Sequence, residues 1–453
     1  MKYKLSYYTI ITDCIPNTNI CVVYGTKTSK AYNLDTKIIE FLKEEAFDKI
    51  PLEIINNLIS AEIIVPKKLN ELNEFCEKAK LDSISEDNYL HITVMSSANC
   101  QLGCSYCGQV HSKKKMEDTT VELIEKRLIH LFDNKSFSEF RISWFGGEPL
   151  MALNKMRLIN NFAKNISKDN NAIYKSHIVT NGLSLKSNIY EELASEFNCT
   201  SIEITLDGIQ EFHDIRRDTK AKEPTFDIIL NNILSITNLD NYPINGCFIK
   251  IRCNVDDTNK NGVIPLIELL SENKLQNKVV FYTAPVYSWG NDAHLSNTKE
   301  EYAINEIDYL LKLHEVGFEI ESIPKTRDVV CSAVTPNYEL IDPNGKIYNC
   351  TEIPLVPMYG NEYLIGDLKN SVTEIKDYQE RPYTKWYDEI QDDKNGYWCT
   401  KCKILPLCGG RCPKSWKDGV PPCPSIKLNI EDRLMLANLL IQEDNTLDLI
   451  KNE

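Results

Sequence analysis

The spacing of its cysteines constrains this chain more than any other feature. Cys100, Cys104 and Cys107 lie within eight residues, and Cys331, Cys350, Cys399, Cys402, Cys408, Cys412 and Cys423 fill the C-terminal third. Cys14, Cys21, Cys76, Cys199, Cys247 and Cys253 bring the total to 16 and read as small buried hydrophobes. A chain of 453 residues needs no disulfide staples to hold a core. Its start, MKYKLSYYTIITD, lacks the charged-then-apolar pattern of a signal peptide. The expectation is a cytoplasmic protein whose clustered thiols serve metal or redox chemistry.

The remaining composition, 42% apolar and 26% charged, is that of an ordinary globular protein. A net charge of −14 argues against nucleic acid or anionic lipid as partner. No run approaches the roughly 18 apolar residues of a membrane-spanning helix, so no membrane partner is expected.

Between the two cysteine groups, β-branched runs alternate with helical patterns. Strands are expected at Leu90–Met95, Phe140–Trp144, Ser176–Val179, Ser201–Leu206, Ile249–Val255 and Lys278–Thr283. Val121, Ile124, Leu128 and Leu131 recur at helical spacing after Asp118, read as an N-cap. Similar helices fall near Leu158–Ile166, Ile189–Glu196, Phe226–Ile236 and Val263–Leu270. Six strand–helix units predict an α/β fold, a partial (β/α)6 TIM-like barrel working at the C-terminal ends of its strands. Earlier in the chain, strands at Lys4–Thr12, Ile20–Tyr24 and Ala31–Asn33, helices at Asp35–Glu44 and Pro51–Ile59, and the apolar Ile63–Val65 predict a small α+β module. The charged Lys67–Asp87 reads as a linker. The expected division is 1–85, 86–310 and 311–453.

SSANCQLGCSYCGQ places Cys100, Cys104 and Cys107 on one tight loop as CxxxCxYC. Three thiolates can hold three irons of a [4Fe-4S] cluster, which ordinarily takes four cysteines, leaving one iron open. A zinc loop completed by His111 is the alternative. WFGGEP presents Gly146, Gly147 and Glu148, where backbone can approach a ligand and a carboxylate can accept from an ammonium. SHIVTNG ends the third strand at Thr180, Asn181 and Gly182, and SIEITLDG ends the fourth at Asp207 and Gly208, positions that also suit turns. EFHDIRRDTKAKEPTF carries His213, Asp214, Arg216 and Arg217. A guanidinium there suits bidentate pairing with a carboxylate, and a solvated charge cluster is the alternative. IRCNVDD sets Arg252 and Asn254 on one face of the fifth strand, toward the barrel interior, unless Arg252 is an outward ion-pair partner.

A CxxxCxxC loop after the first strand of a β/α barrel resembles the radical S-adenosylmethionine (SAM) superfamily. That resemblance implies that the open iron chelates the amino and carboxylate groups of SAM. It also implies a SAM site formed by Tyr106, Gly146, Gly147, Glu148, Thr180, Asn181, Asp207, Arg217 and Asn254. Gln101 stands where relatives often carry Asn. The HDxxR…TF stretch resembles the peptide-modifying branch. Cys331-x13-Gly345-x4-Cys350, then Cys399-x2-Cys402-x5-Cys408-x3-Cys412 and Cys423, resemble the cysteine-rich SPASM domain. By that resemblance Cys399, Cys402, Cys408 and Cys423 hold one auxiliary [4Fe-4S] cluster, and Cys331, Cys350 and Cys412 hold another that is one ligand short. An unassigned cysteine, another side chain or a position kept open for substrate would complete it. Zinc knuckles are the alternative reading of the seven. The first module resembles the winged-helix-like precursor-peptide recognition element, through its element order and YNLDTKIIEFL. In it a leader peptide adds as a strand to a sheet edge; a packing domain without a ligand is the alternative.

Together these resemblances imply a radical SAM peptide-modifying oxidoreductase with three [4Fe-4S] clusters. A reduced cluster would cleave SAM to methionine and a 5′-deoxyadenosyl radical, which takes a hydrogen atom from a leader-bearing precursor peptide. The substrate then closes a thioether, C–C or C–O cross-link. Flavodoxin or ferredoxin would be the electron donor. Anaerobic sulfatase maturation, which oxidises Cys or Ser to formylglycine, is the runner-up. A non-catalytic iron–sulfur electron carrier and a zinc-stabilised peptide-binding module are rivals from other classes.

Overall fold

A computed structural model describes residues 2–85, 88–286 and 299–444. The first module carries five short strands: β1 (Tyr3–Leu5), β2 (Thr9–Cys14), β3 (Ile20–Gly25), β4 (Lys30–Asp35) and β5 (Ile64–Pro66). β2, β3 and β4 form an antiparallel sheet, while β1 pairs antiparallel with β5. The single strand expected over Lys4–Thr12 is thus two. Glu71 holds the Ser6 hydroxyl and the Tyr7 N–H, at 3.1 Å for the latter, and turns the chain from one partner strand to another. Asp35 caps the helix Thr36–Lys43 by accepting from Lys37 N at 2.8 Å, and a second helix spans Leu52–Ser60.

The expected linker Lys67–Asp87 is instead largely a helix, Glu71–Ser85; residues 86–87 lie outside the described residues. Leu72, Phe75, Cys76 and Ala79 share one helical stripe packed with Trp386 and Tyr387. The surrounding Lys and Glu hid that stripe in the composition. Five of the six unassigned cysteines are buried as expected; Cys14 is exposed, with its sulfur 3.1 Å from that of its cross-strand neighbour Cys21.

All six central strands are present as parallel neighbours in chain order: β6 (Tyr89–Ser97), β7 (Glu139–Gly146), β8 (Ile173–Thr180), β9 (Cys199–Thr205), β10 (Phe248–Val255) and β11 (Val279–Pro285). Helices Asp118–Asn134, Leu153–Asp169, Ser187–Ser195, Phe226–Thr237 and Val263–Glu272 intervene. Asp118 is the first helical residue rather than the cap; Glu117 holds that position without a side-chain hydrogen bond. The result is an α/β fold consistent with the expected partial barrel.

Later strands widen the sheet. β12 (Tyr338–Ile341) runs parallel beside β6, and β13 (Lys346–Tyr348) and β14 (Gly366–Asp367) follow antiparallel, making nine strands among the described residues. The β12–β13 turn depends on Gly345 at φ +87° and on Asp342 accepting from Asn344 N and Lys346 N. Buried Glu339 on β12 accepts from Arg127 at 3.1 and 2.5 Å, tying the hairpin to helix Asp118–Asn134. The helix Ile426–Asp444 covers β2 and β3 of the first module. Among the described residues no helix is long and apolar enough to cross a membrane.

Alternation at period two explains what each sheet face does. Leu90, Ile92, Val94, Phe140, Ile142, Trp144, Ile249 and Ile251 are buried in the core against the helices, each contributing about 1.5–3 kcal/mol. Their neighbours His91, Thr93, Ser143, His177, Glu203, Arg252 and Asn254 line cavities on the opposite face. A concave face this polar is built to hold something.

Candidate active site

The loop after β6 brings Cys100, Cys104 and Cys107 to a cavity of about 270 Å³ at the C-terminal ends of the strands. Gly146 and Gly147 close the β7 end against this loop: Cβ atoms there would meet Ser97 O at 2.8 Å and Asn99 O at 2.6 Å. The glycines therefore permit backbone-to-backbone packing, sealed by Gly147 N to Ser97 O at 3.1 Å and Glu148 N to Asn99 O at 2.8 Å, while both also line the cavity.

Glu148 departs from its expected position. It is wholly buried and does not line the cavity. Its oxygens accept from Thr180 Oγ1 at 2.7 Å, Asn181 N at 2.7 Å and Leu150 N at 3.0 Å, so the carboxylate braces the ends of β7 and β8. Thr180 and Asn181 do line the cavity, and Asn181 Nδ2 points to Cys100 Sγ at 3.6 Å and Gln101 Oε1 at 3.0 Å.

Asp207 is likewise a buried brace, accepting from the Tyr106 hydroxyl at 2.7 Å and Asn254 N at 2.8 Å. Tyr106, in the cysteine loop, joins the site together: its oxygen also receives Arg217 Nη1 at 2.5 Å and Asn254 Nδ2 at 3.1 Å. Burial and the Asp207 carboxylate hold its phenol protonated, against the Arg217 cation.

Arg217 faces the cavity because of its neighbours in HDxxR…TF. His213 Nδ1 accepts from Asp207 N at 3.1 Å, and its Nε2 meets Thr225 Oγ1 at 3.1 Å. The Thr225 hydroxyl donates to Arg217 O at 2.6 Å, and Asp214 accepts from Thr225 N and Phe226 N at the start of helix Phe226–Thr237. The motif thus ties a loop shut around one outward-reaching guanidinium. Arg216 is neither cavity-lining nor solvated: it is buried against Asp256 and Thr258, stacked 5.0 Å from the Tyr106 ring centroid.

Burial pushes all three loop thiols up, Cys104 to about 11, and the Arg217 cation opposes the shift at each. Arg217 Nε is buried with no hydrogen-bond partner among the described residues. Three cysteines ringing a space beside an unsatisfied cation fit a cluster carrying an anionic ligand. His111 Nε2 lies 3.8 Å from Cys107 Sγ, but among the described residues no three Cys, His, Asp or Glu gather as one metal ion requires.

Arg252 and Asn254 share the interior face as expected, with Arg252 Nε donating to Asn254 Oδ1 at 2.8 Å. Arg252 also lies 3.7 Å from Glu203, which accepts from the Tyr282 hydroxyl at 2.7 Å. Glu203 escaped the sequence reading, although a carboxylate two residues before Thr205 on the same strand face was its signal.

The C-terminal cysteines separate between two cavities. Cys331, Cys350 and Cys412 line a second cavity of about 500 Å³, which shares Phe145, Val179, Glu203, Arg252, Thr351 and Glu352 with the first. Cys399, Cys402, Cys408 and Cys423 line a third with Trp398 and Lys427, where Trp398 Nε1 lies 3.3 Å from Cys423 Sγ. Burial, then the Cys408, Cys423 and Cys402 thiols, push the Cys399 thiol up.

Residues 94–242 match the sequence profile of the Radical SAM superfamily. It is 24% identical over 356 residues to a Cysteine-type anaerobic sulfatase-maturating enzyme of Clostridium novyi (strain NT), covering 72% of this chain and 88% of that one. A Serine-type anaerobic sulfatase-maturating enzyme of Bacteroides thetaiotaomicron is 23% identical over 362 residues, 70% of this chain and 81% of that one. The solved structure of native anSMEcpe with bound AdoMet shares the fold at a TM-score of 0.56 and 16% identity, covering 79% of this chain and 98% of that one.

Proposed function

We propose that this chain is a radical SAM enzyme that modifies a ribosomally made, leader-bearing precursor peptide, closing an intramolecular thioether, C–C or C–O cross-link. The observation that carries the reading is one cavity ringed by Cys100, Cys104, Cys107 and Arg217 that shares a wall with a second ringed by Cys331, Cys350 and Cys412. A [4Fe-4S] cluster and SAM in the first cavity would supply reductive SAM cleavage and abstraction of a substrate hydrogen atom.

In this reading Cys100, Cys104 and Cys107 ligate the cluster, and Arg217 offers its unpartnered Nε–H to the SAM carboxylate. Tyr106, Gly146, Gly147, Thr180, Asn181 and Asn254 line the SAM site; Glu148 and Asp207 hold those residues in place. Cys331, Cys350 and Cys412, and Cys399, Cys402, Cys408 and Cys423, would hold two auxiliary [4Fe-4S] clusters within residues 311–453, which would supply an acceptor for the electron released as the cross-link forms. The barrel over 86–310 excludes water around the reacting peptide. Residues 1–85 bind the leader, with β4 as an available sheet edge. A flavodoxin or ferredoxin in the cytoplasm supplies electrons.

Anaerobic sulfatase maturation is the second reading, supported by both named relatives. Favouring the first, the anSMEcpe likeness leaves about a fifth of this chain unmatched while covering nearly all of that one, as an added recognition module would. Incubation with candidate peptides separates them by mass spectrometry. Loss of two hydrogens per site, dependent on the leader, marks cross-linking; conversion of a leaderless Cys or Ser peptide to formylglycine overturns it.

A further inference from the structure

Cys331, Cys350 and Cys412 offer three thiols to a cluster that ordinarily takes four ligands. The six unassigned cysteines do not supply the fourth. None lines the second cavity: Cys14 and Cys21 lie in the β2–β3 sheet, Cys76 in helix Glu71–Ser85, and Cys199, Cys247 and Cys253 in the barrel core.

Other donors on the cavity wall are mostly engaged. His91 meets Ser143 Oγ at 2.9 Å through Nε2 and Ser332 Oγ at 3.3 Å through Nδ1. His177 contacts Ser201 O at 3.1 Å and Ser201 Oγ at 2.9 Å through Nδ1; its Nε2 meets no described residue, but unlike Glu352 it is not among the groups whose charge acts on the Cys331 and Cys350 thiols. Glu203 holds Tyr282 and pairs with Arg252. Glu352 differs. Among the described residues its one hydrogen bond comes from the Thr351 hydroxyl, to Oε1 at 3.0 Å, leaving Oε2 available. It follows Cys350 by two residues, and its charge acts on the thiols of both Cys350 and Cys331. Lys414 and Arg252 are the cations facing it.

We propose that the Glu352 carboxylate is the fourth protein ligand of the cluster held by Cys331, Cys350 and Cys412. The assignment deepens the reading above and rests on it. Oxygen is a harder, more readily exchanged ligand for iron than thiolate. Because Glu352 lines both cavities, its exchange would open the cluster to the shared wall, toward the space where the peptide would sit.

The test uses the full chain, reconstituted anaerobically, with Cys100, Cys104 and Cys107 replaced by Ala so that only auxiliary clusters remain. Iron is counted, and the reduced clusters are followed by electron paramagnetic resonance during titration with cyanide. The expected iron content is about eight per chain. Glu352→Gln lowers the cyanide concentration that shifts one cluster's spectrum by about tenfold. Glu352→Cys keeps the iron and abolishes the shift, and Glu352→Asp responds as the parent does. Equal cyanide response in the parent, Glu352→Gln and Glu352→Asp, at full iron, overturns the ligand assignment alone. A parent with no auxiliary-cluster iron overturns the two-cluster reading and this assignment with it.

Discussion

Arg217 Nη1 donates to the Tyr106 hydroxyl at 2.5 Å, and that hydroxyl donates onward to Asp207 at 2.7 Å. One phenol thus links the cysteine loop, the loop after β9 and, through Asn254, β10. Tyr106→Phe leaves a buried carboxylate and guanidinium short of a partner. The expected cost is about 1–3 kcal/mol of unfolding free energy, measured by denaturant titration of the holoprotein; an unchanged midpoint would contradict the linking role.

The two adjacent arginines separate binding from folding. Arg217→Lys loses the planar fork, so SAM affinity falls about tenfold by anaerobic calorimetry while iron content holds and the unfolding midpoint falls far less than in Arg216→Ala. Arg216→Ala abandons buried Asp256 and costs about 3–5 kcal/mol of stability. The same phenotype from both substitutions would undo this division.

Removal of each cysteine group has a defined signature. Replacing Cys100, Cys104 and Cys107 with Ala removes about four irons and SAM binding together; replacing Cys399, Cys402, Cys408 and Cys423 removes about four and leaves SAM binding intact. Zinc in place of iron in the anaerobically purified parent would refute all three cluster assignments.

His213 gives stability a pH dependence. Burial, then the Arg217 and Arg216 cations, hold its folded-state pKa well below the ordinary value. The unfolded chain therefore takes up the proton first as pH falls. The contribution is fully present above about pH 6.5 and is lost below it, at about 1.4 kcal/mol per pH unit until the folded-state value is reached. Thermal midpoints from pH 8 to pH 5 should fall more steeply in the parent than in His213→Gln. Parallel curves would show that the imidazole is not the titrating group.

The barrel strands were legible where a helix-facing apolar residue alternates with a cavity-facing polar one, as in Leu90, His91, Ile92 and Thr93 of β6. Helix Glu71–Ser85 was not, since four apolar residues on one stripe are outnumbered by charges in any compositional window. At the site, motif spacing singled out Glu148 and Asp207, which brace the cavity rather than line it. It could not tell that backbone N–H groups from neighbouring strands would claim their oxygens, because those donors come from Asn181 and Asn254, far away in the chain. Glu352 carried no motif at all; only the fold brings it between two thiol-lined cavities.

The most direct test of the central claim is 5′-deoxyadenosine formation by the anaerobically reconstituted chain with SAM and dithionite, followed by chromatography and mass spectrometry. The account predicts the product from the parent and none after Cys100, Cys104 and Cys107 are replaced with Ala. A fully iron-loaded parent that binds SAM yet releases no 5′-deoxyadenosine, with or without peptide, would contradict it.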